Sequence, residues 1–277
     1  MIRRRSDAVS PADAVVQYPH ASMPTTIPLQ DSVVYGPIRS RRLGASLGVN
    51  ILPMSRKVCS SDCAYCQYGW TTREPSREPL PRAPQLLGEI DAALRAHAQA
   101  GTRVDCITLA GNGEPTLHPE LLELVIGLKA LRDAHFAGAQ VGILSDATQV
   151  MRPRVREALG HLDARYMKFD AADEATWRRI NRPLVPVDFE AMLEGLRTLP
   201  GIVLQSMFIQ GTYDNTDEPH LQRWVEAVGR IRPRLVHVYT VDRGTAAPGI
   251  TEAPRAILEM IASRLTSATA IPAEVFE

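Results

Sequence analysis

Lysine is scarce in this chain: Lys57, Lys129 and Lys168 are the only three among 31 basic side chains. A lysine at a strand mouth is therefore not easily put down to composition. Cysteine is scarce too, four in 277 residues, and Cys59, Cys63 and Cys66 fall within one eight-residue stretch. That clustering excludes a disulfide framework and leaves the thiols free for chemistry in a reducing compartment. Net charge is absent, with 31 Lys and Arg against 31 Asp and Glu, which argues against a protein that coats nucleic acid. No apolar run approaches the roughly 18 residues of a membrane span. Arg3, Arg4 and Arg5 are followed by Ser6, Asp7, Ser10, Pro11 and Asp13 instead of an apolar signal core, so a cytoplasmic protein is expected. What remains, 45% hydrophobic and 22% charged residues, is the balance of a globular domain with a large core.

The charge is unevenly spread. Residues 1 to 57 hold eight basic side chains, Arg3, Arg4, Arg5, Arg39, Arg41, Arg42, Arg56 and Lys57, against Asp7, Asp13 and Asp31. This local excess suits an anionic substrate or simply a solvated face. Residues 1 to 32 carry Pro11, Pro19, Pro24 and Pro28 with no apolar period, the pattern of a disordered leader ahead of one domain over 33–277. From Val33 onward, strand-length apolar runs alternate with stretches of helical period, which predicts βα units and a parallel sheet. Strands are predicted at 47–53, 104–110, 140–145, 164–169, 202–208 and 235–240. Helices are predicted around 86–94 and 121–131 and over 152–159, 189–198, 218–231 and 254–265. The apolar strands predict burial on both faces. Six such units make a partial barrel or a doubly wound sheet, and in either the reactive residues lie where strands end and helices begin.

Directly after the first predicted strand stands Cys59-Ser-Ser-Asp-Cys63-Ala-Tyr65-Cys66, a C-x3-C-x2-C spacing. Three thiolates on one short loop can converge on three irons of a [4Fe–4S] cluster and leave the fourth iron open. The alternative is a zinc-holding interaction module, which needs a fourth ligand such as Cys106 or His97. Cys106 lies inside a predicted strand, where a free cysteine is usually a small buried hydrophobe.

This loop, with an aromatic before its last cysteine and a βα pattern behind it, resembles the radical S-adenosylmethionine superfamily. The resemblance implies a partial (β/α)6 barrel, a single [4Fe–4S] cluster on Cys59, Cys63 and Cys66, and S-adenosylmethionine chelated at the open iron. It further implies reductive cleavage to a 5′-deoxyadenosyl radical that abstracts hydrogen from substrate, and a low-potential electron donor of flavodoxin or ferredoxin type. Tyr65 is similar to the family's aromatic near the adenine. Gly111-Asn112-Gly113-Glu114-Pro115 resembles the Gly-Gly-Glu segment that holds the methionyl ammonium, with Asn112 inserted between the glycines. A carboxylate can accept from an ammonium, and glycine permits close backbone approach. Ser145 and Asp146 fall at the end of the third predicted strand, Lys168 and Asp170 at the end of the fourth, and Gln205 on the fifth. The resemblance places them against the methionyl carboxylate, the ribose and the cofactor pocket. The alternatives are a helix cap at Ser145 and Asp146 and a structural ion pair at Lys168 and Asp170.

Upstream, Arg39, Arg41, Arg42 and Asn50, with Asn181-Arg182-Pro183 and Tyr239 to Arg243 downstream, are similar to a group related to the wyosine-base tRNA-modifying enzymes. Arg39, Arg41, Arg42, Asn50, Asn181, Arg182, Tyr239, Asp242 and Arg243 are accordingly expected at the substrate, with Arg182 suited to an anion. Those tRNA enzymes carry a second cluster, for which the one spare cysteine, Cys106, does not suffice. A small molecule, a peptide and a tRNA base therefore all stay open as substrate.

Overall fold

The structure, a computed structural model, describes residues 26–72 and 78–277. Residues 1–25, most of the expected leader and its Arg3, Arg4 and Arg5, lie outside the described residues. Gln30, ahead of the expected boundary, is buried, and its backbone N–H donates to Asn112 Oδ1 at 2.7 Å.

The described residues form ten strands: β1 (Val34–Ser40), β2 (Gly44–Val49), β3 (Cys106–Leu109), β4 (Gln140–Ser145), β5 (Ala164–Lys168), β6 (Val203–Met207), β7 (Ile209–Gly211), β8 (Leu235–Tyr239), β9 (Ile250–Glu252) and β10 (Ala273–Phe276). Among the same residues are seven α-helices: α1 (Ala83–Gln99), α2 (Leu121–His135), α3 (Pro153–His161), α4 (Glu174–Ile180), α5 (Phe189–Arg197), α6 (Glu218–Ile231) and α7 (Arg255–Thr269). The main sheet runs β1-β2-β3-β4-β5-β6-β8-β10, parallel throughout except for β1 against β2. The order never reverses, so there is no doubly wound switch point. The sheet curls into an open half-barrel, and the six predicted strands are its β2, β3, β4, β5, β6 and β8. Helix starts are set locally. Asp173, Asp188 and Asp217 accept from Thr176 N, Ala191 N and His220 N and so satisfy the free donors of α4, α5 and α6.

Alternation along each strand separates two faces. On the convex face Leu47, Val49, Ile107, Leu109, Val141, Ile143, Leu204 and Val236 join α1, α2 and α7 through Leu86, Ile90, Leu94, Leu124, Leu128, Leu258 and Ile261 in one core. Each such fully buried side chain contributes about 1.5–3 kcal/mol by leaving water. The concave face is buried as well, but it departs from the apolar expectation: Ser46, Thr108, Gln205 and His237 are among its buried residues. The turn between β1 and β2 lies over this face, with Leu43 packed on the cluster of Ala164, Tyr166 and Val203.

Candidate active site

The cysteine loop leaves the C-terminal end of the half-barrel and is sewn to two neighbours through its backbone. On one side Val58 N donates to Asn112 O at 2.8 Å and Glu114 N donates to Val58 O at 2.9 Å. On the other, Asp62 N reaches Asn181 O at 3.1 Å, Ala64 N reaches Ile180 O and Leu184 N reaches Ser60 O, both at 2.8 Å. Gly113 has to be glycine here: its φ is +141°, and a Cβ would stand 1.7 Å from Val58 O. The thiols are half-buried, and loss of water around the sulfur pushes Cys63 up to about 12 and Cys59 well above the usual thiol value. Lys57, which the sequence reading did not single out, is buried and donates to Cys66 Sγ at 3.1 Å and Gly69 O at 2.7 Å. Burial works against its charge, but Cys66 and Cys59 outweigh that and hold its ammonium above the usual value.

Glu114 caps the short 3-10 turn Pro115–Leu117 and is almost fully buried. Its carboxylate accepts from Thr116 N at 2.9 Å, Ser145 Oγ at 2.9 Å and Asp146 N at 2.6 Å. Burial, and then the charge of Asp146, push it up to about 8. Asp146 in turn accepts from Ser60 Oγ at 2.8 Å and Ser61 Oγ at 2.7 Å, both on the cysteine loop, and from Thr148 N at 2.9 Å. The predicted Glu114, Ser145 and Asp146 therefore form one network with the loop.

The second network lies at the ends of β5 and β8. Tyr65 OH donates to Asp170 Oδ2, and Asn181 Nδ2 reaches Tyr65 OH at 2.9 Å, Asp170 Oδ2 at 2.7 Å and Cys63 Sγ at 3.5 Å. Asp170 Oδ1 accepts from Met207 N at 2.8 Å and faces Lys168 Nζ at 3.3 Å. Lys168 donates to Tyr239 OH at 2.7 Å and lies 4.5 Å from the centre of the Tyr65 ring. Burial opposes its charge; Asp170 and Tyr239 more than offset it and hold the ammonium above its usual value. Asn181, expected at the substrate, joins the cysteine loop to Asp170.

Other expected residues have partners within the chain. The Asn112 side chain donates to Gln30 O at 2.9 Å and Pro53 O at 3.0 Å and accepts from Gln30 N. Gly111 is backed by Asn50, whose Cβ a side chain there would approach to 2.8 Å. Asn50 itself is fully buried, accepts from Asn112 N at 3.1 Å and donates to Leu52 O at 3.0 Å. Polar bonding between residues so far apart in the chain leaves no periodic signal in a sequence. Arg39 is exposed on β1, Arg41 pairs with Asp242 at 3.2 Å, and Arg243 donates to Gln67 Oε1 at 3.0 Å. Arg182 lies 4.9 Å over the Trp70 ring and lines a surface cavity of about 410 Å³ with Arg178, Arg179 and Tyr213. Arg42 covers the Tyr239 ring at 4.3 Å. Gln205 is buried on β6 next to Lys168 in the ladder.

The donor set fits an iron–sulfur group. Three thiols share one pinned loop, and a buried ammonium touches one sulfur. Among the described residues no three of His, Cys, Asp and Glu are placed to hold a single metal ion. The fourth ligands considered for zinc are occupied elsewhere. Cys106 Sγ, at the start of β3 and so at the far end of that strand from the loop, lies 3.2 Å from Thr108 Oγ1, and His97 Nδ1, on α1, is 3.3 Å from Thr102 Oγ1.

A family model described as the radical SAM superfamily matches residues 56–261. A UPF0026 protein of Helicobacter pylori strain J99 is 31% identical over 227 residues, 79% of this chain and 70% of that one. A UPF0026 protein of Synechocystis sp. is 34% identical over 222 residues, 78% and 76% of the two chains. Among solved structures, a radical SAM methyltransferase from Sphaerobacter thermophilus has a TM-score of 0.60 at 14% identity, over 83% of this chain and 65% of that one. This chain thus spans a little under two thirds of the methyltransferase. TYW1 with a lysine-pyruvate adduct bound has a TM-score of 0.57 at 16% identity, over 81% and 74%. At such identities these likenesses speak for the fold. No helix of the described residues is long and apolar enough to cross a membrane.

Proposed function

The chain belongs to the radical SAM superfamily, and from that premise we propose that Cys59, Cys63 and Cys66 hold one [4Fe–4S] cluster at which S-adenosylmethionine is cleaved reductively. When bound, the cluster supplies one electron to the sulfonium of S-adenosylmethionine, giving methionine and a 5′-deoxyadenosyl radical that takes hydrogen from substrate. The chain's own residues bind and orient. Glu114, held high by burial, ionises when an ammonium arrives, and Ser145 and Thr116 keep its oxygens in place. Lys168 offers a cation to the methionyl carboxylate, while Asp170 takes the ribose hydroxyls and the Tyr65 ring lies beside the adenine. Gln205 completes the wall below Lys168, and Gly113 keeps its backbone close to the loop. Asp146 fixes the loop through Ser60 and Ser61 and so acts as a positioning residue. The concave face excludes water from the radical. The electron comes from a low-potential donor of flavodoxin or ferredoxin type.

The observation that carries this reading is three thiols on one loop, pinned between Glu114 on one flank and Asn181 on the other. Anaerobic purification followed by iron and sulfide analysis tests it. About four irons and four sulfides per chain are expected. Zinc without iron, in protein reconstituted anaerobically, would overturn it.

A further inference from the structure

We propose that the concave face carries an oxyanion subsite in which Arg42, Gln205 and His237 take a carboxylate or phosphate of the substrate; the word substrate rests on the radical reading above. Lys168, Gln205 and His237 are in-register neighbours across β5, β6 and β8, so they share one face within about 10 Å. Gln205 is 3% exposed and His237 2%. Yet Gln205 Nε2, His237 Nδ1 and Arg42 Nη1 are all buried without a hydrogen-bond partner. Buried donors are nearly always satisfied, and three orphans on one patch point to a group that fills them.

The charge of the patch selects that group. Arg41 has Asp242 and Lys168 has Asp170, but among the described residues no carboxylate pairs with Arg42. Its guanidinium is held over the Tyr239 ring at 4.3 Å, and Tyr239 OH is already taken by Lys168. Burial, then the charges of Arg42 and Arg234, push His237 down to about 3. The imidazole is therefore neutral and carries a single N–H, which points into the patch in the tautomer protonated at Nδ1. Glu274, the acid nearest to the ring, stands 3.8 Å from the other nitrogen. The ring is held in place by Tyr166 and Phe276, with centroids at 5.8 and 5.0 Å. A cation is repelled by Arg42, and an apolar group leaves all three donors unpaired. A guanidinium, an amide N–H and an imidazole N–H match the oxygens of a carboxylate or phosphate. Arg42 is supplied by the β1–β2 turn, fixed on either side by the Arg41–Asp242 pair and by Leu43. The anionic preference that the charge-rich first 57 residues suggested thus resolves to one arginine.

The test is calorimetric titration of the full chain with inorganic phosphate and with acetate, before and after cluster reconstitution. Saturable binding of one probe is expected, and which probe binds separates a phosphate substrate from a carboxylate one. Arg42→Gln and Gln205→Leu should each weaken it about tenfold or more, as loss of a partner for a buried charge does, whereas Arg95→Gln on α1 should not. The melting temperature of Arg42→Gln should change little, since this arginine has no carboxylate partner and gives up only its contact with the Tyr239 ring; a large fall would mark a purely structural arginine. Binding of neither probe, by protein that still forms 5′-deoxyadenosine, overturns the subsite and leaves the radical reading intact. Binding that survives Arg42→Gln marks an adventitious ion only and overturns it too. Binding in protein that assembles no cluster retains the anion site and removes the radical reading.

Discussion

Leu204 and Gln205 are neighbours on β6 and are buried almost equally, at 0% and 3% exposure, yet they face opposite sides of the sheet. Leu204 points into the convex core, where apolar contact satisfies it completely. Gln205 points to the concave face, where its amide nitrogen has no partner. The same degree of burial thus yields stability on one face and unmet bonding capacity on the other. In this half-barrel, the convex face holds the fold together, and the concave face, with the loops at the strand ends, carries the proposed site. That division can be broken from either side.

The largest effect is expected at the cysteine loop. Cys63→Ala should abolish cluster assembly, read as iron per chain, with little change in melting temperature, since the loop is held by the backbone bonds of Asp62 and Ala64 and not by the thiol. A matching loss of fold would show that the loop also carries stability. Leu204→Ala probes the other face. A cavity in the convex core costs about 2–5 kcal/mol, and the protein that remains folded should still bind a full complement of iron; depleted iron in folded Leu204→Ala would blur the two roles.

A smaller effect concerns Glu114. Its carboxyl is raised in the folded state to about 8, so its stabilising contribution is complete below the unfolded pKa, near 4.3, and is lost as pH rises through 8. Cluster-free protein should therefore melt lower at pH 9 than at pH 5. Glu114→Gln should flatten that slope, and an unchanged slope would remove the carboxyl from the account. The smallest shift is expected at Lys57. A cation and N–H donor on Cys66 Sγ favours the more negative, reduced cluster, so Lys57→Met should lower the reduction potential in an EPR-monitored titration at unchanged iron content, and Lys57→Arg should restore part of it.

Much of this is legible in the sequence. The six central strands follow from apolar runs whose convex residues must be buried, and the order of their ends places Cys59, Glu114, Asp146 and Asp170 at one mouth. The edges are not. In β1, Gly36 and Pro37 interrupt the strand pattern, as proline does at a sheet edge. β10 has four residues and α4 has seven, both too short for periodicity to register. The polarity of the concave face was also missed, because Ser46, Thr108, Gln205 and His237 are spread over four strands and converge only when the sheet curls. Asn112 and Asn50 are expected as contacts only from the family resemblance, and nothing in the local sequence announces that their amides bond backbone groups of Gln30, Pro53 and Leu52. Lys57 left no signal beyond its rarity.

The most direct test of the central claim is formation of 5′-deoxyadenosine. Anaerobically reconstituted protein is mixed with dithionite and S-adenosylmethionine, and the product is followed by chromatography alongside Cys63→Ala. The account predicts slow release of 5′-deoxyadenosine by the parent chain and none by the variant. An iron-loaded parent that leaves S-adenosylmethionine intact, or a variant that cleaves it equally well, would contradict the assignment of Cys59, Cys63 and Cys66 as the seat of the chemistry.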